Sequence, residues 1–457
     1  MSTGLSAVPD PPDVPDVPDV PDVFDPRQYA AGVPHDRYRV LRDRHPVAWQ
    51  DEPQVLGWPA GPGFWAVTRH ADVVRVLRDS ATYSSHLGAT QIRDPDPDDL
   101  PFIRRMMLNQ DPSPSSQLRS SRGEGDPNDH GRLRRLVSRA FTPRRVERFE
   151  SLARDRARGL LDAAVTRARD GNNGHGDGDG TCDLVADVTD DYALLNLSDL
   201  LGVPESDRGL LLHWTQRVIG YQDPDEAHEL ALGPDGKPLN PRSPAMLRDM
   251  FAYAQDLAAH KRRAPADDIM TTLATDPELS PAELEMFFFL LTVAGNDTVR
   301  GAAPGGLLAL MENPREYRRL REGAVPVATA VDELLRRHPP VLTFRRTATR
   351  DTVLAGRAVR AGDKVVVFHA SANHDERVFT DPHRLDLSRS PNPHVSFGEG
   401  PHVCLGAHFA RLQLRVLYQE FRAMEAGPFV SAGPPRRLVS NFINGLKSLP
   451  VQVPGAR

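Results

Sequence analysis

Apolar positions recur at helical spacing along most of the chain, whereas strand-like runs are short and few. Asp190 to Leu201 repeats its apolar residues every three or four positions and is followed by Gly202, the residue type that most readily closes a helix. Ser280-Pro-Ala-Glu283 sets a capping hydroxyl, a proline at the first helical position and a glutamate at the third. A helix is therefore predicted to start there and run through the apolar stretch Met286 to Gly295. Thr142-Pro143 predicts the start of a long basic helix, and a further helix is predicted over Ala407 to Phe421. Strands are predicted at Pro46 to Trp49, Phe64 to Val67, Val341 to Ala348, Val353 to Leu354, Val365 to Phe368 and Leu449 to Val453. The fold class is mainly α with a minor β region.

Four consecutive Pro-Asp-Val triplets, Pro12 to Val23, interrupt this pattern at the start and predict a disordered acidic tail over residues 1–23, ahead of a folded domain from Phe24 to the end. Asp111 to Asp129 and Asp170 to Gly180 have no apolar period and read as surface loops. The second half-resembles a calcium loop, but Cys182 stands where glycine is required and no closing glutamate follows, so a linker is the better reading.

The chain has 457 residues, 39% hydrophobic and 26% charged, and a net charge of −6 from 56 basic and 62 acidic side chains. That balance excludes an overall basic field for nucleic acid. The run Met286 to Gly295 is about half of the ~20 residues a membrane span needs, and no basic leader opens the chain, so a cytoplasmic protein is expected. Cys182 and Cys404, the two cysteines, are far apart, and a disulfide framework is not expected.

The most informative chemistry lies in Phe397-Gly-Glu-Gly-Pro-His-Val-Cys404-Leu-Gly406, where glycines surround one cysteine just before a helix. Unpaired N–H groups and the helix dipole stabilise a thiolate at such a place and make it a soft metal ligand. A structural zinc site would want paired cysteines at CxxC spacing, and none exists.

This loop resembles the cysteine-ligand loop of the haem-thiolate monooxygenases, the cytochrome P450 family, and three further blocks extend the resemblance from about Phe24 to Pro454. It implies one large domain enclosing a non-covalent haem b whose iron is ligated by Cys404, with Phe397 and Gly406 beside it; no CxxCH is present for covalent attachment. Ala294-Gly295-Asn-Asp297-Thr298 resembles the stretch crossing the oxygen side of the haem. Ala294 and Gly295 would then border the cofactor, and Asp297 and Thr298 would relay protons to dioxygen. Pro304-Gly-Gly306 departs from the pattern and predicts a sharper kink. By the same resemblance His130, Arg134, Arg346 and His402 hold the haem propionates, and Glu333 and Arg336 pair with Arg384 to hold the cysteine loop. Residues 113–128 look like an insertion relative to the family.

The resemblance further implies a hydroxylating oxidoreductase that takes electrons from a separate ferredoxin and ferredoxin reductase. Arg132, Arg134, Arg135, Arg139, Arg144, Arg145 and Arg148 form a candidate docking patch for an acidic partner. Met106 to Pro112, the Gly-Asn-Asp-Thr variant and Asn441 to Pro450 look most like the actinobacterial branch that oxidises sterol side chains, methyl-branched lipids and terpenes. A lipophilic substrate is expected, with Leu87, Phe102, Val293, Val341, Phe344 and Phe442 as candidate pocket residues. Tailoring of a polyketide or other specialised metabolite is the alternative, and a non-catalytic haem sensor a weaker one.

Overall fold

The computed structural model describes residues 19–88, 90–106, 110–111, 130–170, 180–226, 239–425 and 427–454. Most of the acidic tail and the whole 113–128 segment lie outside these residues.

The capping box forms as the sequence dictates: the Glu283 amide donates to Ser280 Oγ at 3.3 Å and the Ser280 amide to Glu283 Oε2 at 2.8 Å. It opens one uninterrupted helix over Pro281–Met311, against which the helices Asp190–Leu201, Arg208–Ile219, Arg248–Arg263, Val327–Arg337 and Ala407–Ala423 pack. Labelled in chain order, with His130–Ser138 first, the helices used below are α1 (His130–Ser138), α2 (Asp190–Leu201), α3 (Pro281–Met311), α4 (Val327–Arg337) and α5 (Ala407–Ala423). α3 is apolar nearly all round because it is buried nearly all round.

α3 runs through Pro304 as helix without a break. The two glycines after it serve close packing: a Cβ on Gly305 would strike the His338 ring, and one on Gly306 the Tyr418 hydroxyl. Tyr418 donates to the carbonyl of Ala303 at 3.1 Å, giving the chain near the proline a side-chain partner. α2 ends at Gly202 with φ 77°, the left-handed closure its sequence predicts. Thr142, in contrast, makes no side-chain cap. A short helix Pro143–Val146 and a 3-10 turn precede the long helix Glu150–Asp170, so the basic segment is broken where one helix was expected.

The β region is a five-stranded sheet ordered β1-β2-β5-β4-β3, from Val47–Glu52 (β1), Gly61–Val67 (β2), Tyr83–Ser84 (β3), Thr343–Ala348 (β4) and Lys364–Phe368 (β5). Strand alternation puts Phe344 and Arg346 on one face of β4 and Arg345 on the other, where it pairs with Asp94 at 2.6 Å. Val20 and Val23 pack against the small core formed with Phe24, Tyr29 and Phe64, and the Val23 amide donates to Gln50 Oε1 at 2.9 Å. The packed body thus begins a few residues before Phe24.

Glu333 and Arg336 on α4 are both fully buried and meet through two bonds of 2.8 and 2.9 Å. The third member is Arg389, whose Nε reaches Glu333 Oε2 at 3.1 Å, and not Arg384. Arg384 is exposed, and among the described residues it touches this network only through its carbonyl, which accepts from Arg389 Nη2 at 3.2 Å. The chain turns after Asp381 and sinks Leu385 and Leu387 into the core, so the guanidinium delivered to Glu333 comes five residues later.

Removing one partner of a buried charge costs far more than removing a surface charge. Arg389→Ala should lower the unfolding free energy by about 3 kcal/mol, and Arg384→Ala by less than about 0.5 kcal/mol. Denaturant unfolding of the two variants checks this, and equal effects would return the role to Arg384.

Candidate active site

The cysteine loop is built by glycines that take conformations other residues avoid. Gly398 and Gly400 both have φ 70°, and a Cβ on Gly400 would lie 2.6 Å from the Leu77 carbonyl oxygen. The Cys404 amide donates to the Phe397 carbonyl at 2.8 Å, closing the loop just before α5, whose N-cap is Gly406. Cys404 is free and its accessible surface opens on an internal cavity. Enclosure in the protein pushes the thiol pKa up, while the Gly406 N–H and the guanidiniums of Arg134 and Arg411 pull it down. One N–H donor and two nearby cations supply what a bound thiolate needs. Cys182 has no such set: burial pushes its thiol up to about 12, and it is packing.

Across the cavity, of about 250 Å³, runs the middle of α3. Ala294 is exposed and Gly295 and Thr298 are partly so, in the middle of a largely buried helix, because these residues face the open space. The Thr298 hydroxyl donates to the Ala294 carbonyl at 2.8 Å, one turn back. Gly295 also lets α2 approach, since a Cβ there would meet Leu197 at 2.7 Å.

Asp297 lines this cavity and a second, water-sized one of about 20 Å³ shared with Glu226, Arg300 and Lys447. Its Oδ2 has no hydrogen-bond partner among the described residues, and Arg300, held by Asp190 at 2.6 Å, stands 3.8 Å from Oδ1. Burial pushes the Asp297 carboxyl up to about 7, Glu226 and Asp190 add to the rise, and Arg300 opposes it.

Four basic residues converge on the rim. His130 and Arg134 lie one turn apart on α1, the His130 and His402 rings are 4.4 Å apart, and Arg134 Nη2 donates to the Val403 carbonyl at 2.6 Å. His402 Nε2 is buried without a partner among the described residues. Arg346 is 4% exposed, and among the described residues its guanidinium bonds only the Arg345 carbonyl, at 2.8 Å. Burial lowers its pKa to about 10, with Asp111 opposing. Burial also drives His402 well below its usual range, helped by Arg346, His130 and Arg134, so it is a neutral donor. Guanidiniums and an orphaned imidazole crowded on an apolar cavity call for an anion that the described residues do not supply.

A flat, dianionic group with a metal facing Cys404 fits these residues, and haem is such a group. His130, Arg134, Arg346 and His402 would take its propionates, Cys404 its iron, and Phe397, Ala294, Gly295 and Gly406 its faces and edge. When bound, haem with a thiolate ligand supplies one-electron and dioxygen chemistry.

Val293, Val341, Phe344 and Phe442 also line the cavity, as expected. Leu87 and Phe102 do not. Leu87 is 40% exposed, and Phe102 packs on Phe251 with ring centroids 5.9 Å apart, turned into the core by the short helix Leu100–Ile103. Sequence reasoning missed Leu197, Leu200, Ile219, Phe289 and Arg242 among the cavity residues. The apolar face of α2 carried a signal for the two leucines, but Arg242 carried none.

The cytochrome P450 family profile matches residues 249–421. The methyl-branched lipid omega-hydroxylase of Mycobacterium tuberculosis is 36% identical over 422 residues, covering 91% of this chain and 90% of that one. The steroid C26-monooxygenase of Rhodococcus jostii is 33% identical, covering 93% and 83%. Among solved structures, a Mycobacterium marinum cytochrome P450 in complex with pseudoionone superposes with a TM-score of 0.77 at 35% identity, covering 93% of this chain and 97% of that one. Fold and site define a haem-thiolate monooxygenase. The chain belongs to the cytochrome P450 family.

A carboxyl whose pKa is higher folded than unfolded holds its proton more tightly in the folded state, so stability falls as pH rises between the two values. For Asp297 that window runs from about 4 to about 7. Asp297→Asn should therefore gain stability relative to the parent across it, by up to about 4 kcal/mol, and hold that gain above pH 7. Paired unfolding curves between pH 5 and 8 check this, and a pH-independent difference would show that Asp297 titrates normally.

Proposed function

We propose that this protein hydroxylates a lipophilic substrate of the branched-lipid, steroid or terpenoid kind, using dioxygen and electrons from a separate ferredoxin and its reductase. The observation that carries the reading is a largely apolar cavity with a cysteine loop on one side and an acid–alcohol pair on the other. One oxygen atom enters a C–H bond and the other leaves as water, consuming two electrons and two protons.

The side chains divide this work. Val293, Val341, Phe344 and Phe442 exclude water and hold an apolar chain. Thr298 presents hydroxyl lone pairs to the cavity while its proton rests on the Ala294 carbonyl. Asp297, half protonated near neutrality, exchanges protons between the two cavities it lines. The names of the relatives, a lipid hydroxylase and a steroid monooxygenase, support the substrate class.

The candidate docking patch is smaller than its sequence suggests. Arg132 pairs with Glu283, Arg145 and Arg148 with Asp267, and Arg134 turns to the cavity. Arg135, Arg139 and Arg144 are exposed and have no ion-pair partner among the described residues, so a ferredoxin's acidic face would meet these. No described helix is long and apolar enough to cross a membrane, in keeping with a cytoplasmic redox chain.

Two experiments test the reading. The reduced protein should give a strongly red-shifted carbon monoxide band that Cys404→Ser abolishes, and lipids, steroids or terpenes should shift its ferric spin state. A carbonyl spectrum typical of histidine ligation, or a response only to small polar molecules, would overturn it. Separately, Arg139→Glu with Arg144→Glu should slow reduction by ferredoxin about tenfold or more at low salt and leave haem content unchanged. Unchanged reduction kinetics would remove the patch from the electron path.

A further inference from the structure

Arg242 lies far in sequence from every motif above, yet its side chain lines the large cavity. Its Nε is buried without a partner, and among the described residues no hydrogen bond or ion pair is made by its guanidinium. One face of the guanidinium rests on the Phe442 ring, 5.7 Å from Cζ to centroid. Phe442 in turn meets Phe344 edge-on at 5.8 Å, and Phe344 lies under Arg346 at 6.0 Å. Two guanidiniums thus stand at opposite ends of a two-ring ladder along the cavity. Arg346, with His402, His130 and Arg134, is accounted for by the cofactor's carboxylates. Arg242 is left over.

An unpaired guanidinium in an apolar cavity is costly, because arginine does not neutralise itself at physiological pH. Burial lowers its pKa only to about 10, and the charge persists. Among the described residues the one group that offsets this burial electrostatically is Tyr221, a buried phenol that is neutral at pH 7. A stacked ring below, open N–H groups and no acidic neighbour among the described residues form a receptor for one planar anion.

We propose that Arg242 is a specificity-determining residue that binds a carboxylate on the substrate, making the preferred substrates lipids with an acidic end and not neutral hydrocarbons, sterols or alcohols. This rests on the lipophilic-substrate reading above. Oxidation then falls on the part of the chain remote from the acid, since the carboxylate is held at Arg242 while the hydrocarbon runs past Phe442, Val341 and Val293 toward Cys404.

The test uses the haem-loaded protein and three probes: a methyl-branched long-chain fatty acid, its methyl ester and its primary alcohol. Dissociation constants are read from the ferric spin-state titration. The acid should bind at least about tenfold tighter than the ester or alcohol at pH 7.5, and Arg242→Met should erase that preference while leaving ester and alcohol binding within about twofold. Arg242→Lys should retain part of it, and the carbon monoxide spectrum verifies that each variant is intact. Equal affinity for the three probes, or a preference that survives in Arg242→Met, overturns the assignment and leaves the lipid monooxygenase reading standing. No response to any of the three overturns both.

Discussion

Everything the site does depends on one buried carboxylate. Glu333 receives Arg336 through two bonds, Arg389 through one, the side chain of Asn392 at 3.2 Å and the amide of Asp386 at 3.1 Å. Arg336 passes the constraint on, donating to the Asn373 carbonyl at 2.7 Å. The Asn373 side chain then accepts from the Val395 amide at 2.8 Å and donates to Ser396 Oγ at 2.8 Å, and Ser396 donates to the Leu335 carbonyl. Phe397 follows directly, and its carbonyl holds the Cys404 amide. An unbroken chain of bonds therefore runs from a helix ion pair to the amide of the cysteine. A buried ion pair adds little net stability by itself, but each lost partner leaves a charge stranded, so the network tolerates one arrangement only. That intolerance fixes the loop.

A second constraint is electrostatic. The cavity is apolar, yet cations gather at it in two places: Arg134 and Arg346 with two histidines at one end, and Arg242 at the other. In a medium of low dielectric such charges repel and are poorly solvated, and their persistence means that anions complete the structure. The first group would meet the propionates of a cofactor that the fold family requires. The second has no claimant within the described protein. The same physics that identifies the haem site thus makes Arg242 conspicuous, although no motif marks it.

The parts legible in the sequence were those fixed by local chemistry. Ser280 and Glu283 announce a helix start because the box is closed within four residues, and Gly202 announces an end because only its own backbone is involved. The loop Phe397 to Gly406 and Ala294 to Thr298 were legible through their resemblance to one family, and the structure brings both to one cavity. Long-range choices were not legible. Arg384 and Arg389 are both arginines in one polar loop, and only the burial of Leu385 and Leu387 between them decides which meets Glu333. Leu87 and Phe102 are apolar residues in the right region, but the former faces solvent and the latter the core. Thr142-Pro143 starts a helix that ends after one turn, since Glu147–Phe149 tightens into a 3-10 turn before the long helix begins.

Asp297 shows how incomplete compensation serves chemistry. Were Arg300 free to pair fully with it, the carboxylate would be held ionised and could not take up a proton near neutrality. Asp190 instead claims Arg300 at 2.6 and 3.1 Å and leaves the guanidinium 3.8 Å from Asp297. Asp190 and Glu226 meanwhile add negative potential that favours the protonated form. The acid is left with one unpartnered oxygen, a pKa moved up to about 7, and a water-sized cavity behind it that it shares with Glu226 and Lys447. Lys447 is itself bonded to Asp223 and Asp225, the latter largely exposed, so polar groups continue from that cavity to the surface. A proton reaching the buried acid from this side would not have to cross the apolar space where the substrate lies. Substrate and protons would then approach Thr298 from different directions, which would let the cavity stay dry while the acid–alcohol pair remains in exchange with water.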